Sequence, residues 1–214
     1  MTFNTPLEDY IRAHIDAEPE YLAQLDRETH LKLLHPRMVS GHLQGRMLKM
    51  FVQMINPENV LELGTFSGYS AQCIAEGLLR KNARLHTIEI NDEMEDFIRR
   101  VIEKSTFKER ISLHIGDATK IIPTFADNFF DLAFIDADKR LYWEHYELIF
   151  PKIRKGGFIL ADNTLWSGKV LEEIANNDYQ TKGILAFNEK LAQDHRVEKV
   201  ILPIRDGMTL IRKK

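Results

Sequence analysis

Two runs of the chain set oxygen-bearing side chains directly after apolar, strand-like residues: FIDADKR, Phe134 to Arg140, and ILADNTLW, Ile159 to Trp166. Carboxylates at such places can be solvated loop charges, helix caps, general bases or metal ligands. Asp136, Asp162 and the amide of Asn163 together make three hard oxygen donors. That set suits Mg²⁺, with water or substrate oxygens completing an octahedron, and Ca²⁺ and Mn²⁺ are the alternatives. Lys139 follows Asp136 by three residues, on a turn into the next helix. A dication beside it would lower its pKa and let it act as a base. Asp138 either contacts a substrate or faces solvent. A lone aspartate would most simply be a cap, so the chemistry depends on the two runs being neighbours in space.

A third stretch, ELGTFSGYS, has Gly64 and Gly68 bracketing a tight turn between a strand and a helix. Glycines allow close backbone approach, and the helix N-terminus behind them offers unpaired N–H groups. Glu89 ends the next strand, where a carboxylate can accept two hydrogen bonds from a ribose diol. Asp117 ends the strand after that and either reaches an adenine amine or caps the following helix. The glycine spacing departs from the G-x-G-x-x-G of NAD sites, with Phe66 where a second glycine should stand. A side chain there crowds a pyrophosphate, which disfavours an NAD-dependent oxidoreductase. A nucleoside ligand without phosphates fits better, and S-adenosylmethionine is the common one.

The elements that must position these residues follow from periodicity. The first 55 residues read as helices: PLEDYIRAHI, PEYLAQLDRETHLKLL and GHLQGRMLKMFVQMI carry helical apolar spacing, and Glu18-Pro19 breaks the first from the second. From Asn59 the chain alternates between short apolar strands and amphipathic helices. Residues 56–214 therefore form a doubly wound, Rossmann-like α/β core with a mostly parallel sheet, and residues 1–55 a helical cap segment of the same domain. VEKVILPI and MTLIRKK across RDG add a C-terminal antiparallel hairpin. In such sheets ligands bind beyond the carboxyl ends of the strands. If the order runs 3-2-1-4-5, the Asp136 and Asp162 ends are adjacent.

VLELGTFSGYSA, DLAFIDADK and ADNTLWSGKV resemble the metal-dependent class I O-methyltransferases, a group that includes catechol O-methyltransferase and the plant caffeoyl-coenzyme A enzymes. The resemblance runs from MVSGHLQGRML to LPIRDGMTL. It implies that Asp136, Asp162 and Asn163 hold a divalent metal, that Asp136 and Lys139 are catalytic, and that Lys139 is the general base. Met38, Ser40, Gly64, Ser70, Glu89, Asp117, Ala118 and Asp136 would contact S-adenosylmethionine. It also implies a homodimer acting on a small phenolic substrate with vicinal oxygens. Arg205 stands where many bacterial relatives have glycine, and either recognises an acidic substrate group or is solvated. Ala137 is smaller than its counterpart in the catechol enzyme. Trp166 is the aromatic residue best placed to wall a substrate pocket, Tyr142 and Trp143 being core candidates, and His42 is the one histidine to watch.

Composition narrows the field. A net charge of −3 gives no basis for a duplex-DNA binder or a polybasic membrane-surface protein. The alternative within the same fold is a hydroxyuridine O-methyltransferase of tRNA, which a near-neutral balance disfavours and a basic face clustered around the pocket would support. A non-catalytic nucleoside-binding protein would not need the Asp136, Lys139, Asp162 and Asn163 set. No apolar run reaches the roughly 18 residues of a membrane span. One cysteine, Cys73, and an N-terminus without signal-peptide character indicate a reduced, cytoplasmic protein.

Overall fold

The structure is a computed structural model that describes residues 6–214; the first five positions of the expected cap segment lie outside the described residues. Three helices come first: α1 (Pro6–Ala13), α2 (Glu20–Lys32) and α3 (Gly41–Ile55). Pro19 caps α2, as the break before it required. Strands and helices then alternate as β1 (Asn59–Leu63), α4 (Tyr69–Gly77), β2 (Arg84–Glu89), α5 (Glu95–Lys104), β3 (Ile111–Ile115), the short α6 (Ala118–Ile121), β4 (Phe130–Ile135), α7 (Tyr142–Ile149), β5 (Ile153–Asp162) and α8 (Tyr179–Gln193). The chain closes with β6 (Val197–Leu202) and β7 (Met208–Lys213).

The strands form one seven-stranded sheet in the order β3-β2-β1-β4-β5-β7-β6. The pairs among β1 to β5 are parallel. The closing hairpin folds back so that β7 lies antiparallel between β5 and β6. Period-two alternation divides the apolar residues between the two faces. Leu61, Leu63, Ala133, Ile135, Ile159 and Ala161 pack with Tyr142, Tyr146, Ile184 and Phe187 of α7 and α8. Val60, Leu132, Phe134 and Leu160 turn the other way, against Leu48 and Val52 of α3 and Ile74 and Leu78 of α4. A smaller cluster of Leu22, Leu25, Val39, Tyr69, Cys73 and Phe97 seats α2 on the first turn of α4.

Register sets the strand ends flush. Leu63 pairs with both Ile88 and Ile135, and Ile135 pairs with Ala161. The residues that emerge together from the sheet are therefore Gly64, Glu89, Asp136 and Asp162. Gly64 is required by contact as well as conformation. Its φ is 94°, and a Cβ there would lie 2.0 Å from the Asp136 carbonyl oxygen, a backbone atom held by the Asp136 N–H to Leu63 O bond.

Gly64→Ala should thus cost at least about 3 kcal/mol through strain at a special backbone position. Gly168→Ala is the control, since Gly168 shares a left-handed φ of 85° but has no atom within 4 Å of the added carbon. It should cost on the order of 1 kcal/mol from the backbone alone. Urea denaturation of the two variants measures the difference, and equal losses would refute the close-approach argument.

Candidate active site

The Ile135–Ala161 pairing brings Asp136 and Asp162 side by side at the ends of β4 and β5. Lys139 lies in the turn leading to α7 and is itself buried. Its Nζ donates to Asp136 Oδ1 at 2.7 Å and to the Tyr142 hydroxyl at 2.7 Å. That hydroxyl sits 3.0 Å from the Asp162 carbonyl oxygen and 3.2 Å from that of Ile135. Asp162 is buried, and its Oδ1 accepts the Asn163 N–H at 2.8 Å while Oδ2 accepts Gln44 Nε2 at 2.6 Å. Asn163 turns the chain with a left-handed φ of 57°.

The electrostatics follow from burial and crowding. Burial first, and the neighbouring Asp136 second, push the Asp162 carboxyl up to about 6, against the pull of Lys139, Gln44 and the Asn163 N–H. For Lys139, burial pulls the pKa down, but Asp136, Tyr142 and Asp162 outweigh it and hold the amine above the ordinary lysine range. The neutral lysine expected of a resting base is therefore not the state of the protein by itself, in which Lys139 is an ion-paired ammonium. Among the described residues no three His, Cys, Asp or Glu side chains gather to hold a cation. The expected two-carboxylate, one-amide set fits a dication through its charge balance: the buried Asp162 and half-buried Asp136 stand beside one ammonium, which is bonded to Asp136, so the cluster has room for further positive charge.

Beside this cluster lies the glycine turn. Phe66 has φ 48°, and its N–H donates to Glu89 Oε2 at 2.7 Å, while Glu89 Oε1 accepts the Asn91 N–H at 3.0 Å. Glu89 thus braces the turn, and each carboxylate oxygen keeps a second lone pair for a ligand. Ser70 is buried in the first turn of α4. Asp117 caps α6, accepting the Thr119 N–H at 2.9 Å, with Ala118 opening that helix. Ser40 is buried at the start of α3, whereas Met38 is exposed in the single turn before it.

Other expectations resolve less simply. Asp138 caps the turn Lys139–Leu141 by accepting the Arg140 N–H at 3.0 Å and also binds the Arg140 guanidinium, so its carboxylate has a structural task. His42 Nε2 bonds the Asp16 carbonyl at 2.7 Å, which ties α3 to the segment before α2. Trp143 packs on Tyr146 and under Lys190, between α7 and α8. Trp166 sits in a left-handed turn with its indole N–H buried and unpartnered, a donor left over beside Asn163. Burial pushes the Cys73 thiol up to about 12, which leaves it a packing residue. Gln44 and the hydroxyl role of Tyr142 were not foreseen. The lysine–tyrosine spacing of three at a helix start was a usable signal for Tyr142, whereas Gln44 acts 118 positions from Asp162.

Under the glycine turn, Glu62 of β1 is fully buried. Its Oε2 accepts from the Thr87 hydroxyl at 2.6 Å, which meets the Thr65 hydroxyl at 2.6 Å, while Oε1 has no hydrogen-bond partner. Burial raises its pKa from 4.5 to about 7, with Asp136 and Glu89 adding to the rise and the Ser70 and Thr87 hydroxyls opposing it. Between those values the folded chain holds a proton that the unfolded chain has lost. The contribution to stability is full below pH 4.5 and is lost as pH rises through 7. The span corresponds to on the order of 3 kcal/mol. Glu62→Gln should flatten the pH dependence of unfolding free energy between pH 5 and 7 in urea titrations of the ligand-free protein, and a wild-type slope in the variant would exclude Glu62 as its source.

The comparisons with known proteins bear on this arrangement. The O-methyltransferase family profile matches residues 12–214. Probable caffeoyl-CoA O-methyltransferase 2 of Dictyostelium discoideum is 31% identical over 217 aligned residues, spanning 100% of this chain and 94% of that one. Caffeoyl-CoA O-methyltransferase 1 of Eucalyptus globulus is 32% identical over 92% of this chain and 82% of its own. Among solved structures, the O-methyltransferase from Bacillus cereus in complex with SAH superposes with a TM-score of 0.87 at 26% identity, covering 98% of both chains. The O-methyltransferase TomG from Streptomyces achromogenes, in complex with SAM, also gives 0.87, at 25% identity, over 97% of this chain and 96% of that one. With its strand order, its glycine turn and its acidic strand ends, the chain belongs to the O-methyltransferase family, as a class I, caffeoyl-CoA O-methyltransferase-like enzyme.

Proposed function

We propose that the chain methylates a phenolic oxygen of a small catechol-like molecule, using S-adenosylmethionine and a divalent cation, Mg²⁺ by preference. The observation that carries this reading is the pair of adjacent strand-end carboxylates, Asp136 and Asp162, sharing the one ammonium of Lys139. The catechol-like acceptor is supported by the caffeoyl-CoA O-methyltransferase names of the relatives.

Asp136, Asp162 and Asn163 would hold the cation. A dication there would supply Lewis-acid stabilisation of a phenolate and a competing claim on the carboxylates that keep Lys139 charged. S-adenosylmethionine supplies the methyl group. Glu89 is placed to accept from a ribose diol, and the unpartnered Glu62 Oε1 and Ser67 hydroxyl offer sites for its amino-acid end beneath the turn. Gly64, Ser70, Asp117, Ala118, Asp136, Ser40 and the exposed Met38 complete the proposed cofactor contacts. The O–CH₃ bond forms as the S–CH₃ bond breaks and S-adenosylhomocysteine leaves; the phenolic proton passes to the Lys139 amine once that amine has released to solvent the proton it carries in the protein by itself. Tyr142 fixes that amine by accepting from it, so its direction does not depend on Asp136 alone. Trp166, with its unpaired indole N–H, would wall the phenolic ring.

No helix among the described residues is long and apolar enough to cross a membrane. We also assign the chain to the cytoplasm, on its one buried, reduced cysteine, and to a homodimer, on the family resemblance.

Two variants and a chelator test the reading. Lys139→Met should lower kcat by roughly 10²- to 10⁴-fold, the range for loss of a positioned proton acceptor, while S-adenosylhomocysteine affinity stays within about threefold. Asp136→Ala should abolish methylation of a catechol. Excess EDTA should do the same to the wild type, with Mg²⁺ restoring it. Full activity in EDTA would overturn the metal-dependent mechanism.

A further inference from the structure

The turn between β6 and β7 is fastened to the segment that follows β5. The Thr164 N–H donates to the Gly207 carbonyl at 3.1 Å, the Leu165 N–H to that of Asp206 at 2.8 Å, and the Ser167 hydroxyl to Asp206 Oδ1 at 3.0 Å. Arg205 therefore stands beside Asn163 to Trp166, at the rim of the proposed site. Its backbone φ is 50°, in the left-handed region that glycine enters freely and that L residues other than Asn and Asp seldom adopt. The chain keeps an arginine where a glycine would fit without strain.

The partner of Arg205 is a neutral amide, and other arginines of the chain divide between carboxylates and, for Arg84 and Arg110, backbone carbonyls. Arg46, Arg154 and Arg196 all end on carboxylates. Arg205 is exposed and has no carboxylate partner among the described residues, and its Nη1 donates to Gln44 Oε1 at 2.5 Å. The other end of that amide, Nε2, donates to Asp162 Oδ2 at 2.6 Å. Arg205 thus decides which end of Gln44 faces Asp162, and Gln44 in turn fixes where the guanidinium stands. With an amide spanning about 2.2 Å from O to N, Arg205 Nη1 lies no more than about 7 Å from the Asp162 carboxylate. A guanidinium has five N–H donors in a planar fork, and among the described residues the others have no protein acceptor.

We propose that Arg205 is a specificity-determining residue that receives an anionic substituent, a carboxylate, carried by the phenolic substrate. The fork stands within about 7 Å of the Asp162 carboxylate, so a ring bound by its hydroxyls at Asp136 and Asp162 can bring a further substituent within reach of Arg205. Gln44 serves as a positioning residue for both partners. The inference rests on the vicinal-diol reading above and deepens it, from catechols in general to dihydroxyaromatic acids.

A matched pair of substrates tests it: 3,4-dihydroxybenzoate and its neutral methyl ester, compared in wild type, Arg205→Gly and Arg205→Lys. The wild type should prefer the acid. Arg205→Gly should lower the acid-over-ester ratio of kcat/KM by roughly 10-fold or more, the loss of a charge-assisted bond, whatever common loss both substrates suffer through Gln44. Arg205→Lys should recover part of the preference. Thermal stability of Arg205→Gly should be unchanged or higher, because glycine relieves the left-handed backbone. An equal loss for acid and ester, or a wild type that favours the ester, would overturn the proposal and leave Arg205 a support for Gln44. The same pair is titrated calorimetrically with S-adenosylhomocysteine and Mg²⁺ present. If the wild type methylates neither compound, the vicinal-diol reading fails, and the binding preference for acid over ester, with its loss in Arg205→Gly, still decides the role of Arg205.

Discussion

Two carboxylates set side by side, one buried and one half-buried, resist ionising together, and the architecture at the carboxyl end of this sheet is arranged around that difficulty. The parallel pairing of β4 with β5 forces Asp136 and Asp162 into proximity. Lys139 supplies the one compensating charge inside the cluster, and Tyr142 anchors Lys139 from below by joining its ammonium to the Asp162 backbone. Removing Lys139 would leave the two acids with no counter-charge inside the cluster, a larger penalty than the loss of a surface pair.

The same end of the sheet carries two more acids, Glu62 and Glu89, on β1 and β2, and the buried Glu62 is raised in part by both Asp136 and Glu89. Four acidic strand-end residues converge on one region against a single buried lysine. Such a surface is made for ligands that bring positive charge, and a sulfonium cofactor with an amino group and a dication both answer that description. Elements distant in the chain close the region from above. Gln44 comes from the N-terminal helix α3 and Arg205 from the last turn, and they meet over Asp162. The N-terminal helices are therefore part of the site and not merely a cover for the sheet.

Much of this could be read from sequence because its signals are local. An apolar strand followed at once by an acid marks the end of a strand, and alternation of strands with amphipathic helices restricts the order of the central five. Asp136, Asp162 and Glu89 stand at strand ends as that signal implies. The interactions that could not be read are those between far-separated positions. Gln44 and Arg205 lie 161 positions apart, and neither has a periodic or motif signature that announces the contact. The charge of Lys139 in the protein by itself is likewise beyond residue spacing, because the burial of the amine and the proximity of Asp136, Tyr142 and Asp162 set it. Asp138, which the sequence leaves between substrate and solvent, takes a third role as the cap of the turn Lys139–Leu141.

The central claim is that the paired strand-end carboxylates form one cation site per chain. It is tested most directly by titrating the purified, chelator-treated protein with Mn²⁺ and counting bound ions by electron paramagnetic resonance, in wild type and in Asp162→Asn. The account predicts one ion per chain in the wild type, displaced by Mg²⁺ and lost in the variant while the fold is retained. Binding that is absent from the wild type, or undiminished in Asp162→Asn, would contradict it.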